Sequence, residues 1–315
     1  MLYDACGMTA AVFRYDGLGS SGQRWFKGNT HVHTTLSDGG MAVSDTAALY
    51  ASAGYDFLCL TDHWHACRLE GSSASSGLLL MDGIELDGRD EQGSYYHVVC
   101  LGTFEGLERE QGFSAALRSA REQGGMLILA HPFWTGNTVP ECLRHRFHGV
   151  EAYNHVCDWL NGKGWGLVHW EAMLEAESGI PGFAVDDAHL KPEHPGWNGG
   201  WVMVWAAALS PEALRLSLRR GRFYSTQGPL FHEIAFDGRE LHCRTSEVQF
   251  ARLVGPRSHG RRVGSFDGRM LREFSFPLEA VLRTEGFTHA RIEVQDDRGR
   301  RAWTNTLFVA EGQAL

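Results

Sequence analysis

The segment Asn29-Thr30-His31-Val32-His33-Thr34-Thr35-Leu36-Ser37-Asp38-Gly39 places two histidines one residue apart, followed by an aspartate in a glycine-containing turn. Strand side chains alternate, so His31 and His33 project to the same side and, with Asp38, can hold a divalent metal at a strand end. A single His-x-His is weak, because many arise by chance. Here further acids and histidines follow, each at or near the end of an apolar run: His63, Glu85, His97, His131, Asp187 and His189. Imidazole and carboxylate ligands suit zinc, manganese or iron. A carboxylate such as Glu85 can bridge two ions. Two or three ions close together bind a phosphate across its oxygens and lower the pKa of a bridging water, a combination suited to hydrolysis of a phosphate ester. Plainer readings exist for each residue. Any one histidine can be a hydrogen-bonded core residue, His97 above all because it lies within a strand. Asp38 before Gly39 can be a turn residue, and Asp187 can cap a helix. For all nine to be of that kind, every strand end would need a separate reason.

Short apolar runs must position these side chains. Phe57-Leu58-Cys59-Leu60 ends in Thr61-Asp62-His63, and Leu78-Leu79-Leu80-Met81 leads to Gly83-Ile84-Glu85. Tyr96-His97-Val98-Val99-Cys100-Leu101 carries its histidine within the run, and Met126-Leu127-Ile128-Leu129-Ala130 ends in His131-Pro132. Val150-Glu151-Ala152-Tyr153-Asn154 follows, then Phe183-Ala184-Val185 before Asp186-Asp187-Ala188-His189. Near-continuous apolar strands bounded by Gly and Pro suggest a parallel sheet buried on both faces. Helices are predicted over Val43–Ala53, Ser114–Gln123 before a Gly124-Gly125 stop, Leu167–Glu177, and Pro211–Arg219 with proline just inside the start. Strand-helix alternation indicates an α/β barrel or a doubly wound sheet. The polar residues gather at the carboxyl ends of the runs, which favours the barrel. After Gly228-Pro229 the pattern changes: alternating strands recur with the turn dipeptides Asp237-Gly238, Asp267-Gly268 and Arg298-Gly299. That reads as a small antiparallel β-sandwich. The boundary falls near residue 225, giving units of 1–225 and 226–315.

The 315 residues are 43% hydrophobic and 21% charged, an ordinary globular composition. A formal net charge of −9 disfavours nonspecific nucleic-acid binding, and bound divalent cations would offset part of it. No apolar run is of transmembrane length. Met1-Leu2-Tyr3-Asp4-Ala5-Cys6 lacks a basic segment followed by an apolar one, so no signal peptide is expected. Seven cysteines, an odd number with no Cys-x-x-Cys, fit a reducing cytoplasm without a disulfide framework, and Cys59 and Cys100 read as buried thiols.

In their order along the chain, His31-Val32-His33-Thr34 with Ser37-Asp38-Gly39, Thr61-Asp62-His63, Gly83-Ile84-Glu85, His97, Ala130-His131-Pro132, Gly149-Val150-Glu151 and Asp187-Ala188-His189 span about residues 27–190. This ordered set resembles the polymerase and histidinol phosphatase (PHP) superfamily of metal-dependent phosphoesterases. The resemblance implies a distorted seven-stranded β/α barrel with a two- or three-metal centre. It places one ion on His31, His33, Glu85 and Asp187, and a second on Glu85, His97 and His131. A third would sit on Asp38, His63 and His189, with Asp62 behind them orienting a ligand or the nucleophile. The family often has Gly-Ser before its last Asp-Ala-His where this chain has Val185-Asp186, leaving two candidate aspartates, of which the spacing favours Asp187. Gly221-Arg222-Phe223-Tyr224-Ser225 and Arg301-Ala302-Trp303-Thr304-Asn305 resemble two-domain members with a C-terminal β-sandwich, although those often have Pro where Thr306 stands.

The substrate is less legible. Arg68, His155 and Lys191 follow strand-end motifs and are candidate anchors for a second phosphate, or are solvated loop charges. Trp64, Trp134 and Trp197 can line the mouth and stack on a base or sugar, or can pack between the two units. Glu151 is either a supporting or a structural carboxylate. The expected function is hydrolysis of a small phosphorylated metabolite or nucleotide, a phosphomonoester by preference. A metal-bridging hydroxide would attack phosphorus, and a metal-bound water, or a histidine such as His189 or His63, would protonate the leaving group. One alternative is an amidohydrolase or lactonase on the same centre. Another is a non-enzymatic metal-binding module whose sandwich recognises a carbohydrate or protein.

Overall fold

The computed structural model describes residues 11–16, 18, 22–69, 77–278 and 288–310. The Met1–Cys6 segment lies outside them. In chain order, β1 (Ala11–Phe13) and β2 (Arg24–Asn29) precede α1 (Val43–Ser52) and β3 (Phe57–Leu60). Then come β4 (Leu79–Arg89), β5 (Tyr95–Leu101), α2 (Phe113–Glu122) and β6 (Met126–Leu129). The short helices α3 (Pro132–Thr135) and α4 (Val139–Arg144) lead to β7 (Gly149–Asn154). α5 (His155–Asn161), α6 (Leu167–Ala176), β8 (Gly182–Val185), β9 (Trp201–Ala206), α7 (Pro211–Arg219) and β10 (Phe223–Thr226) follow. The remainder is strand: β11 (Phe231–Phe236), β12 (Glu240–Val248), β13 (Phe250–Val254), β14 (Gly260–Val263), β15 (Leu271–Pro277), β16 (Arg291–Gln295), β17 (Arg301–Thr304) and β18 (Phe308–Ala310). Helices α1, α2, α6 and α7 match the predicted spans to within one residue at each end. No described helix is long and apolar enough to cross a membrane.

The central sheet is mixed. Thirteen strands run in the order β14-β13-β16-β17-β10-β9-β2-β3-β4-β5-β6-β7-β8. Pairing is parallel from β2 to β4 and again from β6 to β8, as the buried apolar runs suggest. It is antiparallel where β5 joins β4 and β6. Strand-helix alternation breaks here because β4 runs on past Glu85 to Arg89 and turns back tightly into β5. The Asp90 carboxylate closes that turn by accepting from the N–H groups of Gln92 and Ser94, each at 3.0 Å. In the resulting hairpin Asp87 stands opposite His97, so Glu85, Asp87 and His97 share one face.

The chain ends of the β2–β8 run meet. Beyond β2, Val32 forms a parallel bridge with Ala188 beyond β8. The N–H of His33 donates to Ala188 O and that of Asp187 to His31 O, both at 3.0 Å. Phe57, Cys59, Met81, Val99, Ile128 and Phe183 gather in one cluster on one side of these strands. The alternate residues Ile84, Val98, Leu129 and Val150 pack instead with Trp170, Met173 and Leu174 of α6. Among the described residues the seam is this bridge, not a continuous ladder closing the sheet into a cylinder.

Strand β10, which straddles residue 225, pairs with β9 on one side and β17 on the other. The C-terminal strands therefore extend the same sheet. A separate antiparallel sheet, β11-β12-β15, faces them. Phe231, Ile234, Leu241 and Phe276 from it meet Leu253, Ile292 and Val294 from the long sheet in one apolar cluster.

Asn305 ties this unit to the first. Its Oδ1 accepts from Gly182 N at 2.9 Å, and its Nδ2 donates to Gly221 O and Phe223 O at 3.0 and 3.1 Å. The residue is 1% exposed, so Asn305→Ala leaves Gly182 N and Gly221 O buried without this partner, while Phe223 O keeps the Tyr15 hydroxyl at 2.7 Å. Each such group costs about 1–3 kcal/mol, and the loss of unfolding free energy in urea should exceed about 2 kcal/mol. A change below about 1 kcal/mol would mean that those groups find other partners.

Candidate metal centre

Strand β2 ends at Asn29, and the next residues stay extended, so His31 and His33 keep the alternation expected of a strand just beyond its end. The loop that follows is pinned by Asp62. One carboxylate oxygen accepts from Thr34 N at 2.8 Å and Ser37 Oγ at 2.6 Å, and the other from Thr34 Oγ1 at 2.8 Å. Asp62 thus holds the loop that carries Asp38. Its side-chain hydrogen bonds reach Thr34, Ser37 and Cys67 and not a ring of the cluster. Gly39 is required there, because a Cβ would lie 2.6 Å from the backbone of His33.

Glu85, on β4 and 1% exposed, is the centre of the cluster. Its Oε2 lies 3.2 Å from the Nε2 atoms of both His31 and His33 and 3.3 Å from His63 Nε2. Its Oε1 lies 2.8 Å from His97 Nδ1 and 3.5 Å from His131 Nε2. Asp187 adds a second carboxylate, with Oδ1 3.2 Å from His31 Nε2 and 3.1 Å from His33 Nε2, and Oδ2 3.7 Å from His131 Nε2. Towards the mouth, Asp38 Oδ2 lies 3.2 Å from His189 Nε2, and Asp38 Oδ1 lies 3.5 Å from His33 Nδ1. All nine expected ligands therefore converge.

Most rings have one nitrogen engaged from outside, which leaves the other for the cluster. His31 Nδ1 lies 2.6 Å from Glu151, His131 Nδ1 3.0 Å from Thr135 Oγ1, and His189 Nδ1 2.9 Å from the carbonyl of Asp187. A proton on each of these Nδ1 atoms satisfies the outer acceptor and presents a lone pair on Nε2, the arrangement by which supporting groups orient metal ligands. His63 Nδ1 lies 3.2 Å from Asp87, whose carboxylate is also held by Arg109 at 2.9 and 3.1 Å. Glu151 supports a second ligand by accepting from His131 N at 2.8 Å.

The electrostatics match a cation site. Burial disfavours a charge on His33, yet hydrogen bonds and charges from Asp187 and Glu85 raise its pKa to about 9. His31 is likewise buried but raised by Asp187, Glu151 and Glu85. Burial would raise Glu85 and Asp187, and the surrounding histidines hold both well below the usual carboxylate range instead. The carboxylates thus demand positive charge. His33 Nδ1 is buried without a hydrogen bond, which fits a donor atom left for a metal ion. The donor set of imidazole and carboxylate fits Zn, Mn or Fe. His131 and Asp187 adopt positive φ of 26° and 56°, strained backbone of the kind that clusters at functional sites.

Of the expected substrate anchors, Lys191 alone lines the adjoining cavity, with Nζ 3.6 Å from Asp38. Arg68 faces away and lies 3.6 Å from Glu105. The ring of His155 is hydrogen-bonded to Tyr153 OH at 3.1 Å and does not line the cavity. Trp134 does line it, whereas Trp197 packs on Tyr50 and Trp64 donates to Asp87 O. Asp186 is separate from the cluster, accepting from Tyr50 OH and from the N–H groups of Asn198, Gly199 and Gly200.

Two residues were missed. Asp87 lies two positions after Glu85 on the same strand face, a parity that the sequence did contain. Cys157 is buried on α5 with Sγ 3.9 Å from Asp187 Oδ2, in a group with His131. Nothing in its sequence surroundings marks it.

No protein-family model matches the sequence, and no curated protein matches it. Among solved structures the chain is similar to a two-domain protein containing a predicted PHP-like metal-dependent phosphoesterase from Bacteroides vulgatus. The identity is 14% and the TM-score 0.51, over 91% of this chain and 96% of that one. A candidate metal-dependent phosphoesterase from Bifidobacterium adolescentis matches at 13% identity and a TM-score of 0.38, over 52% of this chain and 89% of that one. An amidohydrolase from Chromobacterium violaceum, with sulfate bound and no metal, matches at 16% identity and a TM-score of 0.37, over 54% of this chain and 90% of that one. The first likeness extends over nearly the whole chain and, at this identity, establishes the fold.

Protein purified without chelator should carry two or more equivalents of zinc, manganese or iron by elemental analysis. Glu85→Gln should lose more of that metal than Asp87→Asn, because Glu85 touches the cluster directly and Asp87 acts through His63. Metal content unchanged by Glu85→Gln would overturn the assignment of this cluster.

Proposed function

We propose that this chain is a metal-dependent phosphoesterase that hydrolyses a small phosphorylated metabolite or nucleotide, with a phosphomonoester preferred. The observation that carries the reading is the division of Glu85: one oxygen faces His31, His33 and His63, the other His97 and His131. A carboxylate placed between two sets of imidazoles is suited to join two cations. Asp187 would complete the inner set. His33, Asp38, His63 and His189 form a further group nearer solvent. Divalent cations bound there supply hydroxide at neutral pH and offset the charge that develops on a transferring phosphoryl group.

The residues themselves bind and position. The cluster floors a cavity of about 260 Å³, walled by Trp134, Val156 and Leu160 and open at Lys191 and His194. Lys191 offers a positive charge at the mouth to a phosphate oxygen. His189 and His63, with side chains 17% and 21% exposed, are the histidines placed to donate a proton to the departing alkoxide. The described part of residues 226–315 contributes no member of the cluster, which supports an accessory β-sandwich there. The meeting of the chain at Val32 and Ala188 supports a distorted seven-stranded barrel for the first unit. The buried thiols of Cys67, Cys100, Cys142, Cys157 and Cys243 support a reducing, cytoplasmic setting.

A terminal phosphoryl group offers three oxygens and a dianion to such a cluster, whereas a diester offers two and a monoanion. Rates on a matched monoester and diester of one nucleoside, at fixed metal and pH, should favour the monoester. Glu85→Ala should lower the rate more than Asp38→Ala, because Glu85 is shared between two sets of ligands and Asp38 serves the outer group. The reverse order, with both variants folded by circular dichroism, would overturn the ligand assignment. A clear advantage for the diester would refute the preference alone.

A further inference from the structure

A second cavity, of about 450 Å³, lies at the other end of the same strands. Several of its residues precede strands β6 to β8, beyond whose far ends lie His131 and Asp187: Arg121 closes α2 before β6, Arg146 to His148 precede β7, and Gly179 to Pro181 precede β8. Arg14 follows β1, and Arg219 and Arg220 close α7 before β10. Strand β7 is six residues long, so the two sites stand roughly 20 Å apart at about 3.3 Å per residue.

Five arginines line this cavity: Arg14, Arg121, Arg146, Arg219 and Arg220. In a chain with a formal net charge of −9 such a concentration of one sign is conspicuous. Glu177 is the one carboxylate lining it among the described residues. It forms no ion pair with any of the five.

Arg14 is the decisive residue. It is 6% exposed. Its Nη2 donates to Gly179 O at 2.9 Å, but its Nε and Nη1 are buried with no hydrogen bond. Burial pulls its pKa down to about 10, still far above neutrality, so the group stays charged. Arg220 Nε is buried and unpartnered as well. A buried guanidinium with free donors and no counter-charge is a costly arrangement unless something completes it. His148 does not add to the charge: burial, with Arg121 and Arg219 nearby, lowers it to about 4.

We infer that this cavity is a binding site for a small anion bearing two phosphoryl groups, a diphosphate in the simplest case. Planar guanidinium groups bind phosphate oxygens through paired N–H donors, and more than one phosphoryl group is needed to match several of them. Phe147, Ile180 and Leu216 give the cavity an apolar wall against which a base or another ring can lie. This inference stands independently of the hydrolase reading, because no residue is shared between the two cavities.

Calorimetric titration of the full chain with inorganic pyrophosphate, and in parallel with adenosine diphosphate, tests it. Tighter binding of the nucleotide would show that the apolar wall is used. Equal binding would assign the site to the diphosphate alone. Glu85→Gln should retain one equivalent of bound pyrophosphate. In the double variant Arg146→Glu with Arg219→Glu, which changes two exposed rim residues, that equivalent should weaken by at least about tenfold. Hydrolysis of a phosphomonoester by the double variant should stay at the wild-type rate. Arg14→Met should abolish the same equivalent; should that variant not fold, the rim variant decides. Equal affinity in wild type and rim variant, or loss of all binding in Glu85→Gln, would overturn the inference.

Discussion

A carboxylate buried inside a sheet must be met by positive charge, and Glu85 sets that condition for the whole first unit. Ionised and 1% exposed, it has no lysine or arginine in contact. Its partners are imidazoles from segments that are distant in sequence. They arrive together only if β3, β4, β5 and β6 end or run at the right height. Asp187 repeats the demand from β8, which is why that strand must return to the extension of β2 at the Val32–Ala188 bridge. Two carboxylates so close would repel each other without cations between or beside them. The protein alone meets the charge by protonating histidines, as the raised pKa of about 9 for His33 indicates. Metal ligation requires neutral histidines, so binding of cations would release those protons.

The supporting groups follow from that centre. Rings that ligate a metal must not rotate, and those of His31, His63 and His131 each have an outer partner on a strand or helix. Glu151 on β7 serves both His31 and the backbone of His131. Asn154 donates to Glu151 and to Asp187, while its Oδ1 caps α5 by accepting from Cys157 N. One asparagine thereby couples a helix start to two carboxylates. The positive φ values at His131 and Asp187 are the backbone strain this convergence imposes, each of order 1–3 kcal/mol and offset by the packing around it.

Much of the candidate centre was legible because its residues are chemically distinctive and stand at the ends of apolar runs. The nine candidate ligands and four of the helices needed nothing beyond type, spacing and periodicity. What failed was the information carried by contacts. The β4–β5 hairpin was hidden because Asp90 and Gly93 look like any loop, and strand direction depends on the loop's length and the carboxylate that closes it. Asp186 and Asp187 are adjacent and identical in type; only the N–H groups of Asn198, Gly199 and Gly200 assign Asp186 a structural task. Arg68 and His155 stand close to the motifs in sequence, but a side chain beyond a strand end has no direction fixed by the strand. The grip of Asp62 on the loop that carries Asp38 is visible only in its hydrogen bonds. The short helices α3, α4 and α5 are too brief for a periodic signal.

The two ends of the strands also differ for a reason rooted in helix electrostatics. Where helices follow strands, helix C-termini collect at the amino ends of the strands, and their carbonyl partial charges favour cations. Arg121 and Arg219 fit that rule: each lies in the last turn of its helix, and each donates to carbonyl groups of a neighbouring loop. Helix C-termini therefore explain two of the five arginines in the second cavity without any ligand. They do not explain Arg14, which belongs to no helix, is buried, and keeps two donor nitrogens unsatisfied. Arg14 already uses the Gly179 carbonyl beyond α6 and lies against Gly221 beyond α7, and its Nε and Nη1 still find no acceptor there. A second source of negative charge is needed at that end of the sheet, as a source of positive charge is needed at Glu85.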